Sequence, residues 1–314
     1  MARYIGARVV QLVVIVFFIS IVAFLLVHLL PGDPTTAILG PTETPQSKAQ
    51  LLHQLGLNRP LPSQYWTWLS NIFHGNLGIS FLTKQTVTNA VGVAFPIDLE
   101  LIIVSQLLAF IIAIPLALVA SLRPNRRFDQ VATTTTYGLL TIPTFVVAVV
   151  GVLLFAVKIH VFPATGFNPL SQGLGPNLKS VLLPSIALAL GSVAIYYRLL
   201  RADLIVTLQE DFITMARAKG LSTPYILLRH ALRPSSFALL AGAGLSIGSL
   251  FTGAFVVEYL FQMPGIGFQL IAAIDSRDYL MVQGMALVAA VAYVVINFGV
   301  DIMFTFLDPR IRRG

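Results

Sequence analysis

Cysteine is absent from the chain, which excludes a disulfide framework, a thiolate metal site and a cysteine nucleophile, and leaves the redox compartment open. Charge is scarce too: only 11% of residues are Asp, Glu, Lys or Arg, against 56% hydrophobic, with a mean hydropathy of +0.84. A soluble globular domain does not have that balance, so the composition reads as a multispan membrane protein. No G-x-x-x-x-G-K-[ST] loop occurs; Lys179-Ser180 lacks the preceding glycine, so any nucleotide hydrolysis belongs to another chain. Histidines 28, 53, 74, 160 and 230 are scattered without ligand spacing, which argues against a metal held by this protein. No surface of mixed basic and aromatic residues suits nucleic acid, and the net charge of +7 is accounted for by loop bias and anionic lipid.

What is present is a series of long apolar runs. A helix needs about 20 residues to cross roughly 30 Å of hydrocarbon, and six segments qualify, near 9–30, 98–121, 132–157, 181–200, 235–257 and 281–307. With the N-terminus inside, most of the 20 lysines and arginines fall in inner segments: Arg3, Arg8, Arg123, Arg126, Arg127, Arg198, Arg201, Arg217, Lys219, Arg229, Arg233, Arg310, Arg312 and Arg313. The outer segments hold Lys48, Arg59, Lys84, Lys158, Lys179 and Arg277 although they are longer, so both termini are expected in the cytoplasm. The first run is too long for a signal-peptide core and has no small-x-small site before Pro31, so it reads as a retained anchor.

Between the first two spans, Ala49 to Leu57 and Gln64 to Phe73 have helical spacing, separated by Gly56, Pro60 and Pro62. This predicts a small helical outer subdomain whose Trp66 and Trp68 either anchor it to lipid or form a docking surface. Lys158 to Ser180 and Glu258 to Leu280 read as outer loops. The expected division is 1–30 for the N-terminus and first helix, 31–97 for the outer subdomain, and 98–314 for a five-helix core containing a polar insert at 205–234.

That insert fits two short helices. Gly220 can close the first in a left-handed conformation, with Arg217 and Lys219 at the negative end of its dipole. Ser222 or Thr223 can cap the second, Pro224 suits its first turn, and Pro234 reads as its stop. Leu204, Leu208, Phe212 and Met215 recur at helical spacing and predict one apolar face. Leu221, Tyr225, Ile226 and Leu228 stand beside Arg217, Lys219 and Arg229, a mixture suited to a ball-and-socket contact in which each large side chain contributes about 1.5–3 kcal/mol when desolvated.

Met215-Ala216-Arg217-Ala218-Lys219-Gly220, with His230-Ala231-Leu232-Arg233-Pro234 downstream, resembles the cytoplasmic EAA loop of ABC-importer permeases. Further segments narrow the likeness: Leu30-Pro31-Gly32-Asp33-Pro34, Leu55-Gly56-Leu57-Asn58-Arg59-Pro60-Leu61, Gly75-Asn76-Leu77-Gly78-Ile79-Ser80-Phe81, Glu258-Tyr259-Leu260-Phe261 running into Pro264-Gly265-Ile266-Gly267, and Asp308-Pro309-Arg310-Ile311-Arg312. Together they are similar to the dipeptide, oligopeptide and nickel permease family, in its subunit type with a large first outer loop. The acidic position that names the loop is Met215 here, with Asp211 the nearest acid upstream, so no glutamate salt bridge can be assigned.

The resemblance implies an all-α polytopic membrane protein, a type I ABC-importer bundle of six transmembrane helices with the outer subdomain between helices 1 and 2. It implies a coupling helix, about Gly220 to Arg229, seated in a cytoplasmic ATPase, with Asp211, Ala216, Arg217, Ala218, Lys219, Gly220, Leu221, Tyr225, Ile226 and Arg229 as coupling residues. It also implies a second homologous permease subunit, two ATPase subunits or domains, an external solute-binding protein and a bacterial or archaeal cytoplasmic membrane. ATP and magnesium would be used by the ATPases, with no cofactor held by this chain and no catalytic residue of its own.

Within the spans, Thr136, Tyr137, Thr141, Ser249, Thr252 and Asn297 are candidates for a cavity wall, although Ser and Thr also bond back to their own helices. Asp301 either lines the path or bonds a neighbouring helix near the inner leaflet, the second being preferred. Pro115 and Pro143 interrupt the second and third spans and predict kinks. Gly244-Leu245-Ser246-Ile247-Gly248 matches a hydrolase pattern but sits inside a span with no strand before it; close helix packing explains it better. A polytopic membrane enzyme would need a nucleophile or metal cluster that is not found. A secondary transporter would need more mid-membrane charge than Asp301, and dependence of uptake on a separate ATPase separates it from an importer. Peptides rank first as cargo, with glutathione and nickel chelates as alternatives.

Overall fold

The computed structural model describes residues 2–29, 39, 44–54, 56 and 58–307. Leu30-Pro31-Gly32-Asp33-Pro34, Leu55, Leu57 and the Asp308 to Arg312 tail lie outside the described residues. Among those described the protein is helical, and the one β-bridge pairs Ile79 with Thr86. Among the described residues five helices are long and apolar enough to cross a membrane, over Gly6–Leu25, Val87–Leu122, Leu174–Thr207, Thr223–Phe261 and Tyr279–Ile302, and the bent pair Arg127–Thr141 with Thr144–Lys158 makes a sixth if it is taken as one span.

The chain divides into two compact units, Met1–Asp98 with Pro264–Ile302, and Leu99–Met263. The first unit holds α1 (Ala2–Leu29), α2 (Pro45–Gln54), α3 (Leu61–Phe73), the start of α4 (Val87–Leu122), α11 (Ile266–Asp275) and α12 (Tyr279–Leu307) as far as Ile302. Helix α3 starts three residues earlier than the sequence spacing suggests, because Pro60 and Pro62 fit a helix start. Tyr65 of α3 is buried against Phe24 of α1, with ring centroids 5.5 Å apart, and its hydroxyl lies 2.8 Å from Ser20 Oγ. Trp68 packs on Phe24 at 5.7 Å, while Trp66 stays exposed. Trp66 is thus the more exposed of the two tryptophans.

The Gly75 to Phe81 segment is pinned within this unit. Ser80, fully buried, donates its hydroxyl to Asp278, whose other oxygen accepts the Met281 amide at 3.3 Å at the start of α12. Asp98 similarly accepts the Ile266 amide at 3.0 Å at the start of α11. The stretch Glu258 to Leu280 is thus not a plain loop, since α11 occupies its middle.

The second unit is built around α7 (Leu174–Thr207), which packs against α5 (Arg127–Thr141), α6 (Thr144–Gly151) and α10 (Leu232–Phe261). Ala109, Ala113, Ala117 and Ala120 of α4 form a buried stripe, and Tyr196, Tyr197, Leu200 and Leu204 of α7 lie in the same core. Small side chains at helical spacing let backbones approach closely where lipid supplies no net hydrophobic drive. Gly242 of α10 follows the same logic: a Cβ there would collide with Leu199. Ser246 returns its proton to the Gly242 carbonyl at 2.8 Å, as expected of a packing motif.

Two expectations need correction here. The third apolar run is not one continuous helix, and it makes the sixth span only as a bent pair. Helix α5 and the pair formed by α6 with its π-helical continuation Val152–Lys158 meet at 101°. Pro143 forbids helical backbone at the residue before it, and Ile142 is extended at φ −87°, ψ 121°. Pro115, by contrast, interrupts nothing, for α4 runs helical through it. The second correction is Pro234, which does not end the preceding helix. Helix α9 (Thr223–Tyr225), a π-helical segment Ile226–Ala231 and α10 run on as one 39-residue helix. The wider π turn contains His230, the residue whose carbonyl a proline four positions later would strike in an α-helix.

Candidate functional site

The polar insert forms a braced structure. Helix α7 ends at Thr207, a turn follows, and Glu210 takes an extended conformation (ψ 150°) before α8 (Asp211–Ala218) begins. Asp211 lies in the first turn and Arg217 in the last, each favourably placed for the helix dipole. Gly220 adopts φ +77°, and the Leu221 amide reaches back to the Ala216 carbonyl at 3.3 Å, closing α8 as expected. Ser222 stands at the cap position of α9 without a side-chain capping bond, while Pro224 occupies its first turn.

Inward, the insert contributes Ile213, Ala216, Ile226 and Ala231 to the core that contains Tyr196 and Leu204. At its base, Ser235 Oγ donates to Thr207 Oγ1 at 2.9 Å, clasping the outgoing and returning helices. Sequence reasoning missed that clasp, which joins residues 28 positions apart. It also set the apolar face wrongly: Phe212 and Met215 are exposed, 45% and 59%, and Ile213 and Ala216 are buried instead. The non-helical turn at Gln209 and Glu210 resets the helical phase that Leu204 and Leu208 suggested.

Outward, the insert presents Leu221, Tyr225 and Leu228 beside Phe212 and Met215, all large, apolar and exposed, with Arg217, Lys219 and Arg229 exposed among them. Ile226 and Ala216 face the core, so neither is available to a partner. Asp211, Ala218 and Gly220 are exposed.

The path candidates scatter. Thr141 bonds to Gly138 O at 2.7 Å, Ser249 to Ser246 O at 2.8 Å, Thr252 to Gly248 O at 3.4 Å, and Asn297 to Tyr293 O at 2.8 Å, all within their own helices. Asp301 faces Arg8 of α1 at 3.4 Å. Thr136 and Tyr137 line a cavity of about 40 Å³, with Thr133, Leu140, Ala194, Tyr197, Arg198 and Arg201.

Beside that cavity is a polar cluster that no motif announced. Asp129, almost fully buried, receives both Nε and Nη2 of Arg201, the latter at 2.5 Å, the Asn125 amide at 2.7 Å and the Tyr197 hydroxyl at 3.2 Å. Thr133 Oγ1 lies 3.0 Å from the Tyr197 hydroxyl. A usable signal existed: an acid in the first turn of one membrane-embedded helix and an arginine in another seek each other in a low-dielectric setting. Among the described residues no cluster of three or more His, Asp or Glu could hold a metal ion.

The long apolar helices and the clasped, outward-apolar insert define a polytopic helical membrane protein. The comparisons then identify the kind. Residues 113–313 match the model of the binding-protein-dependent transport system inner membrane component, and residues 1–102 match the model of the N-terminal part of such membrane components. The chain is 32% identical over 312 residues, 99% of itself and 100% of the relative, to the probable peptide ABC transporter permease protein y4tP of Sinorhizobium fredii. It is 35% identical over 316 residues, 99% of each chain, to a putative peptide transport system permease protein of Brucella abortus. It is 31% identical over 312 residues, again 99% of each, to the glutathione transport system permease protein GsiC of Escherichia coli.

The chain belongs to the family of binding-protein-dependent transport system inner membrane components. It is a multi-pass membrane permease subunit of an ABC importer, a system that includes an ATPase and a binding protein in addition.

Proposed function

We propose that this permease carries di- or oligopeptides, delivered by an external solute-binding protein, through alternating access driven by two separate ATPase subunits or domains and shared with a second homologous permease. The observation that carries the coupling role is the exposed face of Leu221, Tyr225 and Leu228, ringed by Arg217, Lys219 and Arg229, on an insert braced by the Ser235–Thr207 clasp. A braced insert transmits a push, and a desolvated apolar face supplies adhesion. Asp211, Ala218 and Gly220 belong to the same surface or its turn, while Ala216 and Ile226 act from behind it as packing.

ATP and magnesium act in the partner ATPases; this chain holds no cofactor and performs no bond chemistry. Its setting is a bacterial or archaeal cytoplasmic membrane with both termini inside, and it works as an anchor and outer subdomain (1–30, 31–97) on a core of 98–314. The native sequence has no cysteine, so single introduced cysteines at Lys219 and Lys84 can be labelled from either side without background. Labelling of Lys219→Cys from outside would reverse the orientation.

The peptide cargo draws support from the peptide names carried by relatives in Sinorhizobium and Brucella. Glutathione is the second reading, supported by the likeness to the Escherichia coli glutathione permease. Competition between dipeptides, glutathione and nickel chelates on the cognate binding protein decides. Exclusive binding of nickel chelates or glutathione ends the general peptide reading.

A further inference from the structure

We propose that the cavity between α5 and α7 is a subsite for the free carboxylate terminus of the translocated peptide, with the Arg198 guanidinium as its anion-binding group. The inference rests on the peptide reading above.

The cavity is lined by two arginines, and their roles differ. Arg201 spends Nε and Nη2 on Asp129, which also takes the Tyr197 hydroxyl and the Asn125 amide. That carboxylate is 2% exposed and neutralised by its partner, so the local balance leaves one net positive charge, on Arg198. Among the described residues neither the Arg198 guanidinium nor the Tyr137 hydroxyl has a hydrogen-bond partner, and both line the cavity. Leu140 and Ala194 supply apolar wall, which strengthens attraction for an anion.

Size narrows the ligand. A volume of about 40 Å³ has room for roughly three ordered waters, which suits one carboxylate. A planar carboxylate also matches the guanidinium fork, which can give two parallel hydrogen bonds. Every unmodified peptide ends in that group whatever its side chains, so a subsite that reads it tolerates varied sequences. A lipid phosphodiester would have to bring its glycerol into the same small space.

The test uses the assembled importer, with its binding protein and ATPases, in proteoliposomes, and two probes: radiolabelled dialanine and its C-terminal amide. The binding protein is the same throughout, so differences between wild type and variant come from the permease. Arg198 is exposed, and its replacement leaves the core intact. Arg198→Gln is expected to lower dialanine uptake about ten-fold, the scale of a lost hydrogen bond to a charged group, and to change amide uptake by less than about two-fold. Arg198→Lys should restore part of the loss, keeping the charge without the fork, and Tyr137→Phe should cost dialanine a few-fold.

Equal loss of both probes, or no loss of either, overturns the subsite. Loss that follows the anionic lipid content for both probes alike assigns the cavity to a headgroup and overturns it too. Should the binding protein refuse the amide, saturation-transfer NMR of both probes on the permease–ATPase complex replaces uptake. A preference for dialanine that Arg198→Gln abolishes supports the subsite, and no preference removes it. If the wild type carries and contacts neither probe, the peptide reading falls and takes the subsite with it; if the wild type carries dialanine and Arg198→Gln does so equally, the subsite falls alone.

Discussion

The Asp129 cluster and the insert after α7 treat their side chains in opposite ways. On Asp129 itself the polar groups are used internally: two guanidinium nitrogens of Arg201, a backbone amide and a tyrosine hydroxyl converge on one buried carboxylate. The insert does the reverse, burying small or medium residues such as Ile213 and Ala216 and leaving Phe212, Met215, Tyr225 and Leu228 exposed. A region whose interactions are complete within the chain serves the fold. A region that is well braced yet apolar on the outside is built for another chain.

Four variants press on that contrast. The largest effect is expected for Arg201→Ala, which strands a buried carboxylate and should cost about 3–5 kcal/mol. Thermal unfolding of the purified permease measures it, and the swapped pair Asp129→Arg with Arg201→Asp should recover part of the loss. An Arg201→Ala protein that unfolds as the wild type does while transport alone suffers would erase the distinction between the two regions.

Tyr225→Asp combined with Leu228→Asp comes next. It should abolish ATPase co-purification and reduce uptake at least about ten-fold, since each large side chain is worth about 1.5–3 kcal/mol on burial. Thermal stability should move by no more than about 0.5 kcal/mol, as for other surface changes. Unchanged ATPase capture would remove the docking role.

Gly220→Val tests the brace itself. A Cβ at Gly220 meets open space, so the cost comes from the backbone at φ +77°, about 1–2 kcal/mol. ATP hydrolysis is expected to continue while uptake falls, and normal uptake counts against a mechanical role for the turn. The smallest effect belongs to Ser235→Ala, which takes the partner from the Thr207 hydroxyl at a cost of about 0.5–1.5 kcal/mol. Faster proteolysis within 208–231 is the sensitive readout.

The apolar runs made the membrane class and most spans legible, because hydropathy over 20 residues survives errors in every boundary. Gly220 was legible as well, since a left-handed turn between two helical patterns has few other occupants. The 101° bend at Pro143 was legible only as a kink; its angle depends on how α6 packs against α7 and α10. The continuous helix through Pro234 was hidden because a π turn absorbs the ring, and π turns leave little trace in residue pattern. Phe212 and Met215 were misassigned for a related reason: a turn ending in the extended Glu210 breaks the period on which face reading depends.

By itself the sequence determined that the chain is a helical membrane protein with a structured polar insert, because composition and periodicity are local quantities summed along the chain. Only the tertiary structure decided which insert residues are spent inside and which are offered outside, that Asp129 meets Arg201 across 72 positions, and that Ser235 clasps Thr207. Those pairings join residues distant in sequence, and their energies exist only when packing brings the groups within hydrogen-bond reach.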